Sequence, residues 1–277
     1  MSNKVLKPKK ASLYEFTQNY SNNINNCIEF FKSMKWPEGF SCDRCGCHKY
    51  YLIKRVGKTK TSYVLECSSC HKQHSLLSGT IFQSCKLDLY KLLLGIFLFF
   101  NENKGISAIE LCSILDVNYK TALLLESKCR ILMSLSNSDK LLNSLFYEAD
   151  VFNIGAKSKN KAGRASEQQP VLGILSTDKE NNYPRFIKLR LINDYTGLSF
   201  KKNIEQCCVL SHAALLNTDG EKGFNTLGTE IQVKNEKISY EEKNHRLLWL
   251  NIIIGNIKNN ITGIYHGITK REMPLFL

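Results

Sequence analysis

Two cysteine pairs constrain the fold of this chain more than any other feature of its sequence. Cys42 and Cys45 form the first Cys-x-x-Cys pair, and Cys67 and Cys70 form the second. Two tight turns of this kind present four thiolates to one metal ion, in the tetrahedral arrangement that structural zinc prefers. Such a site is closed, because it leaves no coordination position for a substrate. The sequence therefore predicts a structural Zn²⁺ ion bound by these four cysteines.

The residues between the two pairs predict a zinc ribbon. Two β-like runs, residues 50–56 and 62–65, flank a turn at Gly57 and Lys58. A hairpin of this kind brings the two cysteine pairs together. Other metal-ligating side chains nearby do not form matching turns and rank lower: Cys47, His48, His71 and His74. The remaining cysteines are interpreted as core residues, at positions 27, 85, 112, 129, 207 and 208.

The net charge of the chain favours a polyanionic partner. Lys and Arg number 38 against 25 Asp and Glu, which gives a formal net charge of +13. Nucleic acid is the leading candidate for such a partner. The alternative is that the charge reflects solubility or an AT-biased genome, which also enriches Asn and Lys. With 277 residues, of which 43% are hydrophobic, the chain is long enough for about two folded domains.

The 11 cysteines do not indicate a secreted disulfide scaffold. Such scaffolds are much shorter, and Met1–Lys10 is polar and rich in lysine, unlike a signal peptide. The longest apolar run, Leu92–Phe100, is well below the roughly 18 to 20 residues that cross a bilayer. We therefore expect an intracellular protein with no membrane partner. It would lie in the nucleus of a eukaryotic host, or in the cytoplasm or nucleoid of a bacterial one.

Hydrophobic periodicity predicts an α+β protein of several domains. Residues 12–34 show helical spacing, and residues 86–133 show it in three segments, broken at 103–105 and at 116–118. From about residue 144 onward, strand-like runs dominate. The predicted boundaries are an N-terminal helical segment at 1–40, a zinc ribbon at 41–84, a helical segment at 85–140 and an α/β domain with a mixed sheet at 141–277.

The central helical segment is typical of a helix-turn-helix that binds DNA. Residues 106–115 form a short amphipathic helix with Ser107 as a plausible N-cap, residues 116–118 form the turn, and a second helix follows. The start of that second helix is where such motifs contact bases and phosphates. The predicted DNA contacts are Asn118, Tyr119, Lys120 and Thr121, with Lys128 and Arg130 as further phosphate contacts. The alternative is a plain helical hairpin that links two domains.

The C-terminal region predicts a ribonuclease-H-like domain. Its runs follow the order βββ-α-β-α-β-α, which is the ribonuclease-H topology. The predicted strands are residues 145–152, 171–176, 185–192, 213–217 and 229–234, and the predicted helices are residues 198–206, 221–227 and 243–259.

Two aspartates in this domain predict a site for catalytic metal ions. Asp150 lies on the first strand, and Asp219 follows the buried strand at 213–217. Those strands are neighbours in the inferred topology. Two carboxylates brought together in this way can bind Mg²⁺ and support phosphodiester cleavage. The alternative for each aspartate alone is a turn or capping role.

A series of short motifs, in order along nearly the whole chain, matches a known family. The motifs are Trp36-Pro37-x-Gly39-x-x-Cys42-x-x-Cys45, Ser78-Gly79-Thr80-Ile81-Phe82, Lys104-Gly105-Ile106-Ser107-Ala108, Lys120-Thr121-Ala122, Glu148-Ala149-Asp150, Pro170-Val171-x-Gly173, Thr218-Asp219-Gly220 and Gly263-Ile264-Tyr265-His266. With them the chain resembles transposases of the Merlin type and their bacterial insertion-sequence relatives, which carry a zinc ribbon ahead of a DDE domain. The resemblance implies cleavage of double-stranded DNA at terminal inverted repeats and strand transfer into target DNA. It also implies Mg²⁺ or Mn²⁺ as cofactor, and it leaves a homo-oligomer on DNA open.

The resemblance further implies a third metal-binding position and a nearby basic residue. Counted back from the motif at 263–266, these positions fall on Asn251 and Lys258. Seven residues are about two helical turns, so both side chains share one helix face and Lys258 could reach a DNA phosphate. The alternative for Lys258 is simple surface exposure.

The chain also departs from the family pattern. Asn251 stands where most DDE enzymes use glutamate, although some relatives carry asparagine there. Its amide oxygen can ligate a metal but brings no negative charge. Other departures are Val151 and Phe152 in place of polar residues, Arg246-Leu247-Leu248 in place of a polar stretch, and an end at Leu277 where further helix is expected. Two functions therefore follow from the sequence. One is an active transposase, and the other is a catalytically inactive, degenerate or domesticated transposase-derived DNA-binding protein.

A basic loop between the first two predicted strands is a second candidate DNA contact. The loop carries Lys157, Lys159, Lys161 and Arg164. We expect this loop to bind DNA near the metal site. The alternative is that it is a run of charged residues exposed to solvent.

Overall fold

A computed structural model describes residues 11–57, 61–102, 105–138, 141–155, 168–178, 183–228, 231–235, 247–264 and 273–275. The chain forms two compact units, Met1–Leu132 and Met133–Leu277. Helices and antiparallel strands occur in the first unit and a mixed sheet with helices in the second, which confirms the predicted α+β class. None of the helices described is both long and apolar enough to cross a membrane.

Up to Ser138, five helices and three strands are described. They are α1 Leu13–Tyr20, α2 Ile24–Lys35, β1 Tyr50–Val56, β2 Thr61–Cys67, β3 Gln73–Ser75, α3 Leu89–Asn101, α4 Ala108–Leu115 and α5 Tyr119–Ser138. Side-chain caps fix where the first four helices begin, because each cap accepts a hydrogen bond from an otherwise unpaired amide of the first turn. These caps are Ser12, Asn23, Asp88 and Ser107.

The predicted ribbon hairpin is present as a three-stranded antiparallel sheet in the order β1-β2-β3. Tyr50 pairs with Cys67 at one end of the hairpin. The second cysteine pair therefore begins where β2 ends, directly beside the start of β1. This pairing brings both cysteine turns to the same end of the sheet.

One continuous hydrophobic core holds the first unit together. Buried side chains from all five helices and from the ribbon contribute to it, among them Phe31, Leu65, Leu92 and Leu111. The ribbon and the helices around it are therefore stabilised by the same core, rather than folding around separate ones.

The second unit is built on a five-stranded mixed sheet. Its described elements are β4 Phe146–Ile154, β5 Gln169–Thr177, β6 Pro184–Leu191, α6 Gly197–Glu205, β7 Leu215–Thr218, a 3-10 helix Lys222–Leu227, β8 Gln232–Asn235, α7 Leu248–Gly263 and a 3-10 turn Met273–Leu275. The strand order is β6-β5-β4-β7-β8. The first three strands pair antiparallel, whereas β7 and β8 join in parallel. This topology confirms the predicted ribonuclease-H-like fold. The predicted start of the last helix at 243 lies outside the described residues.

Residues along β4 alternate between two cores, one on each face of the sheet. Tyr147 and Ala149 belong to the core that also contains Phe200 of α6. Phe152 and Ile154 belong to the core on the opposite face, which contains the buried side chains of α7. The even-numbered positions of β4 therefore face α7.

Candidate functional site

The four predicted cysteines form one cluster. The Sγ atoms of Cys42 and Cys70 lie 3.6 Å apart, and those of Cys45 and Cys67 lie 3.5 Å apart. All four sulfur atoms lie within 4.8 Å of one another. A tetrahedral zinc ion with Zn–S bonds of about 2.3 Å needs sulfur atoms about 3.8 Å apart. The cluster therefore fits a structural zinc ion.

The two cysteine turns have the same backbone geometry. The amide of Gly46 donates to the carbonyl of Cys42 at 2.9 Å, and the amide of His71 donates to the carbonyl of Cys67 at 3.1 Å. Both donors have positive φ, 72° for Gly46 and 57° for His71. Glycine adopts this conformation readily, whereas His71 holds it although its side chain disfavours it.

The environment of the first turn favours an ionised thiol. Burial opposes ionisation of Cys42, but hydrogen bonds from the backbone of Arg44 and Cys45 and from the His74 side chain outweigh it and lower the pKa of this thiol to about 6. Thiolate is the form that binds metal. His74 lies buried on β3 and forms a three-residue group with Cys42 and Asp43. That group shares Cys42 with the complete four-sulfur set.

Asp150 lies in the middle of β4, and Asp219 directly follows the neighbouring strand β7. In the parallel pairing of β4 with β7, Glu148 stands opposite Asn217. Two residues further along the chain from this pair are Asp150, still on β4, and Asp219, just past the end of β7. Both side chains are half-buried. Because the two strands run parallel in this register, Asp150 lies beside the end of β7 that Asp219 follows.

Asp150 lies on the sheet face that α7 covers. Two residues before it, Glu148 accepts a hydrogen bond from the Leu250 amide of α7 at 3.0 Å. Two residues after it, the Phe152 ring lies under the Lys258 ammonium group of α7, 5.6 Å from its centroid. Since side chains two apart on a strand share a face, Asp150 faces the segment of α7 between Leu250 and Lys258.

The two positions inferred by resemblance lie on this segment of α7. Asn251 follows Leu250 directly and is half-buried, and Lys258 is exposed. The helix that carries Asn251 and Lys258 thus packs on the same face of the sheet as Asp150. Carboxylate and amide oxygens are ligands suited to Mg²⁺ or Mn²⁺. This is an arrangement in which a divalent ion could be held.

The predicted DNA-contact residues lie at the start of α5. Asn118 caps this helix, because its side chain accepts a hydrogen bond from the Lys120 amide at 2.9 Å. Asn118, Tyr119 and Lys120 are exposed, and Thr121 is half-buried. The preceding turn is tight, with Asp116 at a positive φ of 48°. The polar side chains at this helix end are accessible to a ligand.

The other predicted DNA contacts differ from the exposed side chains at the start of α5. Two of them have partners within the protein, and four lie outside the described residues. Arg130 forms an ion pair with Glu126, which is only 1% exposed, so its guanidinium group already has a structural partner. Lys128 donates to the carbonyl of Gln83 at 3.1 Å. The four basic residues of the predicted loop lie outside the described residues: Lys157, Lys159, Lys161 and Arg164.

Two residues beside Asp150 were not among the predicted site residues, although both lie in motifs that the chain shares with the family. Burial raises the pKa of Glu148 to about 7, against the opposing effect of the Leu250 amide. Gly173 stands opposite Asp150 in the pairing of β4 with β5. A glutamate between apolar neighbours, two positions before Asp150 on the same strand, is the signal that could have identified Glu148.

Two family models match the chain where these two sites lie. Residues 24–73 match a transposase zinc-ribbon domain, and residues 146–277 match an ISXO2-like transposase domain. Both models are of the IS1595 type, and together they span more than half of the chain. No curated protein matches it. The ribbon match contains the four clustered cysteines, and the second match contains Asp150, Asp219 and Asn251. This chain belongs to the IS1595-type transposases.

Proposed function

We propose that this protein is an active DNA transposase, in which Asp150, Asp219 and Asn251 hold divalent metal ions against a phosphodiester. The observation that carries the proposal is the parallel register of β4 and β7, in which Asp150 lies beside the end of β7 that Asp219 follows. The hydrogen bond from α7 to Glu148 supports it, because it holds the helix with Asn251 against the same strand.

The reaction is cleavage of DNA at terminal inverted repeats, followed by joining of the freed end to target DNA. In each step an oxygen nucleophile, water or a 3′-hydroxyl, bonds to phosphorus while the bond to the leaving oxygen breaks. Divalent ions, Mg²⁺ or Mn²⁺, would activate the nucleophile and stabilise the leaving oxygen. The carboxylates of Asp150 and Asp219 supply the negative charge that holds the ions, and Asn251 supplies a neutral oxygen. Lys258, exposed on the same helix, is suited to a nearby phosphate.

The DNA partner is recognised by the first unit. The start of α5 presents an amide, a phenol and an ammonium group side by side, at Asn118, Tyr119 and Lys120. Such groups at a helix start bind bases and phosphates. The net charge of +13 adds a general attraction for DNA. The zinc ion has a structural role, since four cysteines complete its coordination. We expect the protein to act as a homo-oligomer on its DNA.

Replacing Lys120 with alanine is expected to weaken DNA binding at every sequence tested. Loss of one phosphate contact should reduce the slope of log affinity against log salt by about 1. Fluorescence anisotropy with a labelled duplex at several salt concentrations measures this slope. Lys202→Ala, which removes an exposed lysine of α6, is the matched control and should leave the slope unchanged. Equal slopes for Lys120→Ala and the wild-type protein would contradict the assignment of Lys120.

A nicking assay on duplexes that carry the terminal repeats of the element tests the proposed reaction. We expect the wild-type protein to nick them with Mn²⁺ or Mg²⁺ and not with EDTA. The Asn251→Glu variant adds a negative charge at the third position, so it should bind the ions more tightly and nick at a lower metal concentration. If the wild-type protein does not nick and Asn251→Glu does, the chain is instead a catalytically inactive descendant that binds DNA.

A further inference from the structure

The helix that carries Asn251 does not cap its own N-terminus. Helix α7 begins at Leu248, and the preceding residue, Leu247, makes no side-chain hydrogen bond to the first turn. The first amides of a helix have no partner within the helix, so a buried start needs an acceptor from elsewhere. Glu148 of β4 supplies one: its Oε2 atom accepts the hydrogen bond from the Leu250 amide at 3.0 Å. Leu250 is the third residue of the helix, the position that a capping side chain normally serves.

The hydrogen bond between Glu148 and the Leu250 amide is buried, and its acceptor is a group that stabilises a helix start. Glu148 is 7% exposed, and Leu250 is fully buried. A carboxylate at the start of a helix also interacts favourably with the partial positive charge of the unpaired amides. Little water reaches this buried contact. Removal of the Glu148 carboxylate would therefore leave the Leu250 amide buried without an acceptor.

The side chain of Leu250 is held by a second, independent contact. Gly173 of β5 lies beneath it, and a Cβ atom at this glycine would come within 3.3 Å of Leu250 Cδ1. The same Cβ atom would come within 3.3 Å of Phe152 Cε1. The absence of a side chain at Gly173 therefore lets Leu250 sit directly on the sheet, opposite the backbone of Asp150.

We propose that Glu148 is a positioning residue for the metal site: by capping α7 from β4, it fixes Asn251 relative to Asp150. Asp150 is two residues from Glu148 along one strand, and Asn251 is the residue after Leu250. This one hydrogen bond joins β4 to α7 close to both Asp150 and Asn251, so it fixes the position of the helix along the strand. A helix that turned by a single residue would rotate Asn251 by about 100° around the helix axis. The role of the metal site rests on the proposed function, whereas the capping contact itself does not.

Hydrogen exchange at the Leu250 amide tests the capping contact without any metal or DNA. In Glu148→Ala, this amide is expected to exchange about tenfold faster than in the wild-type protein, beyond any change in global stability, as for the loss of a helix cap. Glu148→Gln keeps an acceptor oxygen at the same place and should restore most of the protection. Ser176→Ala is the matched control, because it removes another buried hydrogen-bonding side chain from the same sheet.

The outcomes separate this inference from the proposed function. Unchanged exchange at Leu250 in Glu148→Ala, or equal exchange in Glu148→Ala and Glu148→Gln, would overturn the capping role. Mn²⁺ affinity, measured by electron paramagnetic resonance, tests the effect on the site: Glu148→Ala should bind Mn²⁺ more weakly than Ser176→Ala, and Glu148→Gln should recover. If the wild-type protein binds no Mn²⁺ at this site, the proposed function fails, whereas the exchange result still decides the capping contact.

Discussion

Replacing either Asp150 or Asp219 with alanine is expected to reduce metal-dependent nicking of DNA by about a thousandfold or more, while DNA binding remains. Each carboxylate supplies negative charge that holds the divalent ions, and such ions contribute several kcal/mol of transition-state stabilisation. Single-turnover nicking rates on a terminal-repeat duplex measure the loss, and anisotropy with the same duplex measures binding. A double variant that loses no more than either single variant would show that the two residues act at one site.

The control for this prediction is a carboxylate at the other end of the same sheet. Asp178 follows β5 where that strand pairs with the start of β4, and it forms an ion pair with Arg185. Asp178→Ala should nick at close to the wild-type rate. Wild-type rates in Asp150→Ala, or an equal loss of rate in Asp178→Ala, would contradict the assignment of the two aspartates.

Replacing Cys42 or Cys67 with serine is expected to unfold the first unit and to abolish DNA binding. Structural zinc contributes about 10 to 16 kcal/mol in small zinc domains. This is as large as the whole stability of a typical domain, about 5 to 15 kcal/mol. The ribbon side chains lie in the same core as the helices, so they cannot unfold alone. Elemental analysis should find about one zinc per wild-type chain and almost none in either variant.

The emission of Trp36 reports the accompanying change in structure. Its ring packs against Phe40, with the centroids 5.2 Å apart, and near the ring of His74. Cys47→Ser is the matched control, because Cys47 lies two residues after Cys45 but outside the four-sulfur cluster. This variant should keep both the zinc and the wild-type spectrum. A Cys42→Ser protein that retains zinc and its fold would show that the cluster is not the zinc site.

The parts of the fold that follow from local pattern could be predicted from sequence. The spacing of the four cysteines determines two matching turns, because each Cys-x-x-Cys places both sulfurs on one side of a tight turn. Apolar and charged side chains alternate along residues 185–192, which indicates a strand with two different faces. The structure has β6 at Pro184–Leu191. The order of strands and helices in the second unit is enough to infer the topology, which in turn predicts that Asp150 and Asp219 lie close together.

Contacts between elements that are distant along the chain could not be predicted in the same way. Glu148 and Leu250 are 102 positions apart, and nothing in either local sequence indicates that one caps the other. Similarly, periodicity predicts that Arg130 lies on the second helix but does not reveal its ion pair with the buried Glu126. The third site position, Asn251, was inferred only by resemblance, because an asparagine in a helix has no local signature of metal binding.

Iron-directed cleavage of the backbone measures most directly whether Asp150, Asp219 and Asn251 surround one metal site. Fe²⁺ accepts the oxygen ligands that suit Mg²⁺ and Mn²⁺, and with ascorbate and peroxide it generates radicals that cut the chain close to the bound ion. In the zinc-loaded protein we expect cuts near residues 150, 219 and 251, all suppressed by excess Mn²⁺ and absent in Asp150→Ala. Cuts near only one of these positions, or cuts that Mn²⁺ does not suppress, would show that the three side chains do not share a metal site.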